Sequence, residues 1–328
     1  MDPGGDLLGA AEEWHYSDGH RVQGPVALET LSSLIRVGQL GPGSLVWHPP
    51  WEEWRPLGQV EDFAGLFPDN LHPTPPPLPG NPSASSGNDR GPQGRVLGGI
   101  DWVWCPSGTF RMGSPSNEPG RSNGETNREV TLERGFWIGK FPVTRAQWMK
   151  WMADDPGKIR GRDLAMPVEN VSWHDARRFC ERMSRKEGAE IRLPTEAEWE
   201  YACRAGSPGP WCFDSNRASD LPDYAWFSEN SDGRSHPVGQ KKPNAWGIHD
   251  AHGNVWEWCE DRYTKNPALD PVDPRGPQVA TGGDFRRVCR GGSCRSPAER
   301  CRSAFRHRVG AEHRTLRLGF RAAMNAIP

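Results

Sequence analysis

The chain lacks a long hydrophobic run, a CxxC pair, a basic amino-terminal leader and an excess of either charge. Each absence removes a class of protein. No apolar stretch approaches the length that a membrane-crossing helix needs. The opening residues, MDPGGDLLGAAEEW, carry neither a basic n-region nor an apolar h-region, so they do not read as a signal peptide, and a cytoplasmic location is expected. Eight cysteines are scattered with no CxxC spacing, which argues against a structural zinc and fits mostly buried thiols in a reducing compartment. Lysine plus arginine number 40 against 42 acids, so the net charge of −2 points to no partner.

What is present is aromatic and turn-rich: 16 Trp, 38 Gly and 32 Pro in 328 residues. Few aliphatics with many tryptophans suggest loops around a core closed by large rings rather than a helical bundle. Charge is uneven along the chain. Between Arg286 and Arg321 lie eleven arginines and only two acids, Glu299 and Glu312. Two readings stay open there: arginines consumed in ion pairs and aromatic stacking, or a face for anionic ligands or nucleic acid. Few lysines and little continuous basic helix weigh against nucleic acid.

Composition divides the chain into three regions: 13–67, compact and aromatic; 68–95, a Pro/Gly/Ser-rich linker; and 96–325, the main domain. In the first, a strand at Glu13–Tyr16 leads to a turn at Asp18-Gly19. Ala27–Val37 has helical apolar spacing stopped by Gly38, Leu45–Trp47 is a strand, and Trp51 with Trp54 caps a small core. The pattern W-H-Y, Q-G-P-V, S-L-V-W and W-R-P-L resembles the bacterial GYF-like adaptor domains. Eukaryotic GYF domains grip proline-rich peptides with aromatics, which implies a proline-rich partner; Val26 follows Gly24-Pro25 here, where an aromatic would be needed. The linker offers Pro73–Pro79 as a polyproline segment.

In the main domain, Thr144 is expected to cap a helix over Arg145–Ala153. Ser172 with Asp175 starts a helix stopped at Gly188, and Thr195 with Glu198 starts one stopped at Gly206. Short strands are expected at 255–258, 287–290 and 319–322. The ordered signposts are G-T-F-R-M-G-S (108–114), F-P-V-T (141–144), P-V-E-N-V-S-W-H-D-A (167–176), R-L-P-T-E-A-E-W-E-Y-A (192–202), H-G-N-V-W-E-W (252–258), R-G-G-S (290–293) and L-G-F-R (318–321). Together they resemble the formylglycine-generating enzyme, or sulfatase-modifying factor, family. The resemblance implies an α+β, loop-rich, C-type-lectin-like domain preceded by the small α+β GYF-like domain.

Function is a separate matter from fold. The enzymes of that family oxidise a protein cysteine with copper held by two cysteine thiolates, three and eight residues beyond the Gly-Gly-Ser serine. Here those positions are Ser296 and Cys301, and a hydroxyl is a poor ligand for Cu(I). An oxidase would use Cys301 and Ser296 with Ser293 and Trp256 flanking the pocket. The resemblance also implies a structural Ca²⁺ at Asp250, the Gly253 and Val255 carbonyls and Glu257; the alternative is that Glu257 pairs with an arginine and no metal is needed. His249 and His252 read as turn residues rather than ligands.

One subgroup of the family comprises variable proteins of diversity-generating retroelements, with a hypervariable carboxy-terminal segment ending near G-F-R. In that resemblance the variable, ligand-binding positions within 290–321 are Arg295, Ser296, Pro297, Arg300, Phe305, His307, Val309, His313, Thr315, Leu316 and Arg317. None is a Lys, Gln, Glu, Trp or Met, the types such mutagenesis of asparagine codons cannot reach. The leading expectation is a non-catalytic protein presenting these residues to a protein or other macromolecule, with a copper-dependent oxidoreductase as the alternative.

Overall fold

The computed structural model describes residues 14–17, 22–36, 40, 44–49, 55–57, 60, 63, 94–152, 163–213, 217–265, 270–277 and 285–326. The turn at Asp18-Gly19, Gly38, Trp51, Trp54 and Pro73–Pro79 lie outside them. The chain forms two units, Met1–Ser86 and Gly87–Pro328.

In the first unit, strands β1 (Trp14–Ser17), β2 (Val22–Val26), β3 (Leu45–Trp47) and β4 (Arg55–Pro56) form an antiparallel sheet in the order β2-β1-β3-β4. Helix α1 (Leu28–Arg36) carries apolar residues at helical spacing, and its Leu31 and Ile35 bury against Trp14, Val46 and Phe63. Trp14 stands edge-on to Phe63 with ring centres 5.1 Å apart. Aromatic and aliphatic side chains together close this small core.

The second unit is built on two sheets. The first has the order β10-β15-β9-β6-β5. Its strands are β5 (Arg95–Leu97), β6 (Ile100–Cys105), β9 (Phe136–Gly139), β10 (Ile191–Arg192) and β15 (Ala323–Asn325). The second sheet, in the order β13-β12-β11-β14, contains β11 (Trp256–Arg262), β12 (Arg286–Arg290), β13 (His307–Gly310) and β14 (Leu318–Gly319). A hairpin of β7 (Gly108–Met112) and β8 (Arg128–Leu132) stands apart.

Among the described residues three α-helices join these sheets: α2 (Arg145–Met152), α3 (Trp173–Glu187) and α4 (Glu196–Arg204). Each begins where the sequence supplies a cap. Thr144 and Gln147 exchange side-chain and backbone bonds of 3.2 and 2.9 Å at the start of α2. Ser172 with Asp175 and Thr195 with Glu198 form capping boxes for α3 and α4. Gly188 ends α3 in the left-handed conformation, as expected. Helix α4 ends one residue earlier than the glycine signal implied: Ala205, at φ 45, takes the left-handed cap, and Gly206 continues the turn.

The strand expected over 319–322 is two strands in two sheets. Leu318–Gly319 pairs parallel to β11, whereas Ala323–Asn325 lies between β10 and β9. The intervening Phe320, Arg321 and Ala322 are fully buried as the chain crosses between sheets. Trp102, Trp148, Trp173 and Trp258 sit in the core cluster that this crossing joins.

Candidate functional site

The arginine-rich end separates into an inner frame and an outer set. Arg290, Arg302 and Arg321 are among the most buried large side chains. Arg290 pairs with Glu200 and donates to the Ala304 and Phe305 carbonyls at 2.9 and 2.8 Å. Arg302 reaches Glu125 through two bonds of 2.8 Å, and Glu118 and the Gly120 carbonyl as well. Arg306 grips both oxygens of Glu196. Arg321 does the same to Glu257 at 2.6 and 2.7 Å. Burial alone would raise the Glu125 and Glu196 carboxyls, but the facing arginines outweigh it and hold both below the ordinary carboxylate range. Further cations lie over rings: Arg287 is 3.6 Å from the Trp173 ring centre, and Arg308 is 4.4 Å from that of Tyr263. Of the two readings left open, ion pairing and stacking account for most of these arginines, and the pairs are internal rather than superficial.

The outer set is the part left to solvent. Arg295, Pro297, Arg300, His313 and Leu316 are exposed, and Phe305, His307, Val309, Thr315 and Arg317 are half-buried. Ser296 departs from the expected surface position. It is only 4% exposed because its hydroxyl accepts the Ser293 N–H at 3.0 Å while its own N–H returns to the Ser293 carbonyl. That tight turn draws the side chain inward. Val309 is also partly committed, packing against the main core.

The outer residues gather at two places. Phe305 and His307 lie beside Trp256, with ring centres 5.9 and 4.8 Å away. Arg295, Thr315, Leu316 and Arg317 line a cavity of about 610 Å³ together with Arg145 and Glu169. The Trp256 N–H bonds to the Arg317 carbonyl at 2.8 Å, which ties the two places together. Sequence reasoning missed Arg145 and Glu169. The sequence signals Glu169 only as an acid set inside the run P-V-E-N-V-S-W, and Arg145 only as the first residue of a helix. A second cavity of about 850 Å³, lined by Glu190, Arg192, Glu198 and Arg275 among others, contains none of the expected residues.

The residues of the oxidase reading are not assembled as a metal cradle. Cys301 is fully buried in an apolar cluster with Trp211, Phe213, Leu221 and Phe227. Burial pushes its thiol well up, only partly offset by the Ser293 N–H. Ser293 and Ser296 hydroxyls bond to each other at 3.2 Å, and Trp256 stands with Phe305 and His307. A hard hydroxyl already used in a turn, beside a neutral thiol, does not fit the soft two-thiolate site that Cu(I) requires. All eight cysteines are free thiols.

The calcium set does not fit a cation either. Both Glu257 oxygens are taken by Arg321, and the Trp199 indole N–H adds a bond of 2.6 Å. Asp250 accepts the Gly239 N–H at 2.7 Å and the Asn254 side-chain amide at 3.4 Å. Among the described residues no group of three or more His, Cys, Asp or Glu side chains is placed to hold a metal ion. His252 is buried, with Nε2 accepting the Cys212 N–H at 3.1 Å; Nδ1 therefore carries the proton and donates to the Cys301 carbonyl at 2.7 Å. His249 donates Nδ1–H to the Lys241 carbonyl, and burial lowers it to about 4. Both histidines hold turns.

A family model for the sulfatase-modifying factor enzyme 1-like domain matches residues 92–326. The chain belongs to that family. A model of GYF domain 2 matches residues 14–63. The chain is 32% identical over 209 residues to the chaperone protein LppX of Paenibacillus barcinonensis, covering 48% of this chain and 70% of that protein. It is 34% identical over 208 residues to the formylglycine-generating enzyme of Bos taurus, covering 59% of this chain and 52% of the bovine enzyme. The chain thus spans about half the length of the bovine relative. Among solved structures, Treponema denticola variable protein 1 superposes with a TM-score of 0.64 and 27% identity, covering 71% of this chain and 99% of that one. The second unit therefore has the C-type-lectin-like fold of this sulfatase-modifying factor family, and the buried Glu–Arg pairs are its frame. Among the described residues no helix is long and apolar enough to cross a membrane.

Proposed function

We propose that this chain is a non-catalytic ligand-binding member of its family, presenting the outer residues of 290–321 to a protein ligand. One observation carries the reading. Side chains of the carboxy-terminal segment divide between buried ion pairs that fix the backbone and outward positions with no such duty. Arg290, Arg302, Arg306 and Arg321 do the first; Arg295, Pro297, Arg300, His313 and Leu316 do the second. A surface built this way tolerates change at the ligand contacts without loss of fold, which binding proteins with variable contacts need. Mixed arginine, histidine and aromatic side chains suit a protein interface. The likeness to a variable protein of Treponema denticola supports the same reading. The likeness to formylglycine-generating enzymes supports an oxidase instead, but the cysteine pair is incomplete at Ser296. The amino-terminal unit is read as an adaptor for proline-rich segments, and the location as cytoplasmic.

The test is direct. The purified chain is incubated with Cu(I), oxygen and a cysteine-containing sulfatase peptide, and the peptide is followed by mass spectrometry. No conversion of cysteine to formylglycine is expected; turnover would overturn the reading. In parallel, sequences of sibling genes should differ chiefly at 295, 297, 300, 305, 307, 313 and 315–317. An invariant segment would remove the variable-surface part.

A further inference from the structure

The cavity beside Arg295 and Arg317 contains an unmet chemical requirement. Glu169 lines it, is only 5% exposed, and has an Oε1 with no hydrogen-bond partner. Ser235 donates to the same carboxyl, and Arg145 and Arg317 lie near enough to act on it electrostatically. A buried carboxyl oxygen without a donor carries an uncompensated desolvation cost. A ligand that brings an N–H would remove that cost.

The charge around it selects what else the ligand carries. Four arginines line the cavity, Arg145, Arg234, Arg295 and Arg317, against the two carboxyls of Asp163 and Glu169. Arg295 is oriented by donating Nε–H to the Gly233 carbonyl at 2.7 Å, and Arg234 stands 3.8 Å from Asp232 on the surface. Among the described residues Arg317 makes no side-chain hydrogen bond, so its guanidinium is left to donate to an oxyanion. A cationic rim around a single buried acceptor calls for a negative group with a polar hydrogen beside it. Carboxylate and backbone N–H occur together at every polypeptide end that is not proline and at every Asp and Glu. The cavity, at about 610 Å³, is large enough for such an end.

We propose that this cavity is a carboxylate-binding subsite for a peptide ligand, in which the arginines hold the anionic oxygens and Glu169 Oε1 accepts the neighbouring backbone N–H. The proposal rests on the ligand-binding reading above and gives the ligand its chemistry. Arg295, Thr315, Leu316 and Arg317 then tune which peptide enters, while Glu169 and Arg145 stay constant.

Four small probes test it against the full chain by protein-observed NMR. N-acetylglycine carries both features; N-acetylsarcosine lacks the N–H; N-acetylglycinamide lacks the carboxylate; the α-amide of N-acetylaspartic acid places the carboxylate on a side chain. The expected result is millimolar binding of N-acetylglycine or of N-acetylaspartic acid α-amide, at least about tenfold tighter than of the other two. Preference for the first assigns a carboxy-terminal ligand, and preference for the second an acidic side chain. Arg317→Gln should weaken both, and Glu169→Leu should erase the discrimination against N-acetylsarcosine. Shifts confined elsewhere, equal binding of all four, or no binding by any overturns the proposal, and the wild-type series decides even if a variant fails to fold. Cysteine oxidation with probe binding intact would sink the non-catalytic reading alone. Failed probe binding without oxidation would sink only this subsite.

Discussion

At the scale of single residues, the arginines of this segment differ in what their loss would do. Arg302 is 1% exposed and neutralises both Glu118 and Glu125; Arg300, two positions earlier, is exposed. Removing a partner of a buried pair strands the opposite charge, so Arg302→Ala should cost about 3–5 kcal/mol. Arg300→Ala should stay within about 0.5 kcal/mol. Urea denaturation of both variants checks the contrast; equal effects would contradict the frame-and-surface division. The sequence showed eleven arginines but not which were which. Identity and spacing do not reveal burial here, because the partners come from far away: Glu118 and Glu125 lie more than 170 positions earlier, at separations of 184 and 177. Ser296 failed as a surface residue for a more local reason, its hydroxyl being drawn into the Ser293 turn.

At the scale of elements, helix starts were legible and the final strands were not. Caps work over three residues, so Ser172–Asp175 and Thr195–Glu198 could be read directly. The 319–322 strand divided because its pairing partners are set by distant strands. Gly319 shows the constraint: a Cβ there would lie 2.3 Å from the Val168 carbonyl oxygen. Gly319→Ala should therefore push β14 away from its neighbour and cost about 1–3 kcal/mol through overpacking. It should also broaden amide signals of Trp256 and Glu257, its partners in the parallel pair. A variant as stable as the parent would show that the crossing has slack. The same crossing places Arg321 on Glu257, so one turn of chain both joins the sheets and occupies the carboxylate that a calcium ion would have needed.

At the scale of the whole molecule, three buried carboxyls set how stability depends on pH. Burial pushes Glu169 and Asp261 up to about 7 and Asp250 up to about 6. A carboxyl whose folded value lies above its unfolded one, about 4, binds more protons in the folded state between those values. The stability it contributes is complete below pH of about 4 and is lost as pH rises through about 6 to 7. Glu125, Asp175, Glu196 and Glu198 are shifted the other way, so their contribution is present above the ordinary carboxylate value and is lost in acid. Thermal unfolding across pH 4 to 8 should show a maximum on the acid side of neutrality. Asp250→Asn should flatten the decline above it. A melting temperature rising steadily to pH 8 would refute the assignment.

The sequence by itself determined the family, the fold, the amino-terminal adaptor resemblance, the helix caps and the missing second thiolate at Ser296. Those features are local or are carried by ordered motifs. Only the tertiary structure decided which arginines are frame and which are surface, that Glu257 belongs to Arg321, and that Glu169 opens into a cationic cavity. Each of these depends on groups brought together from distant parts of the chain, and burial, which turns a charge into either a strut or a contact, is a property of the folded whole.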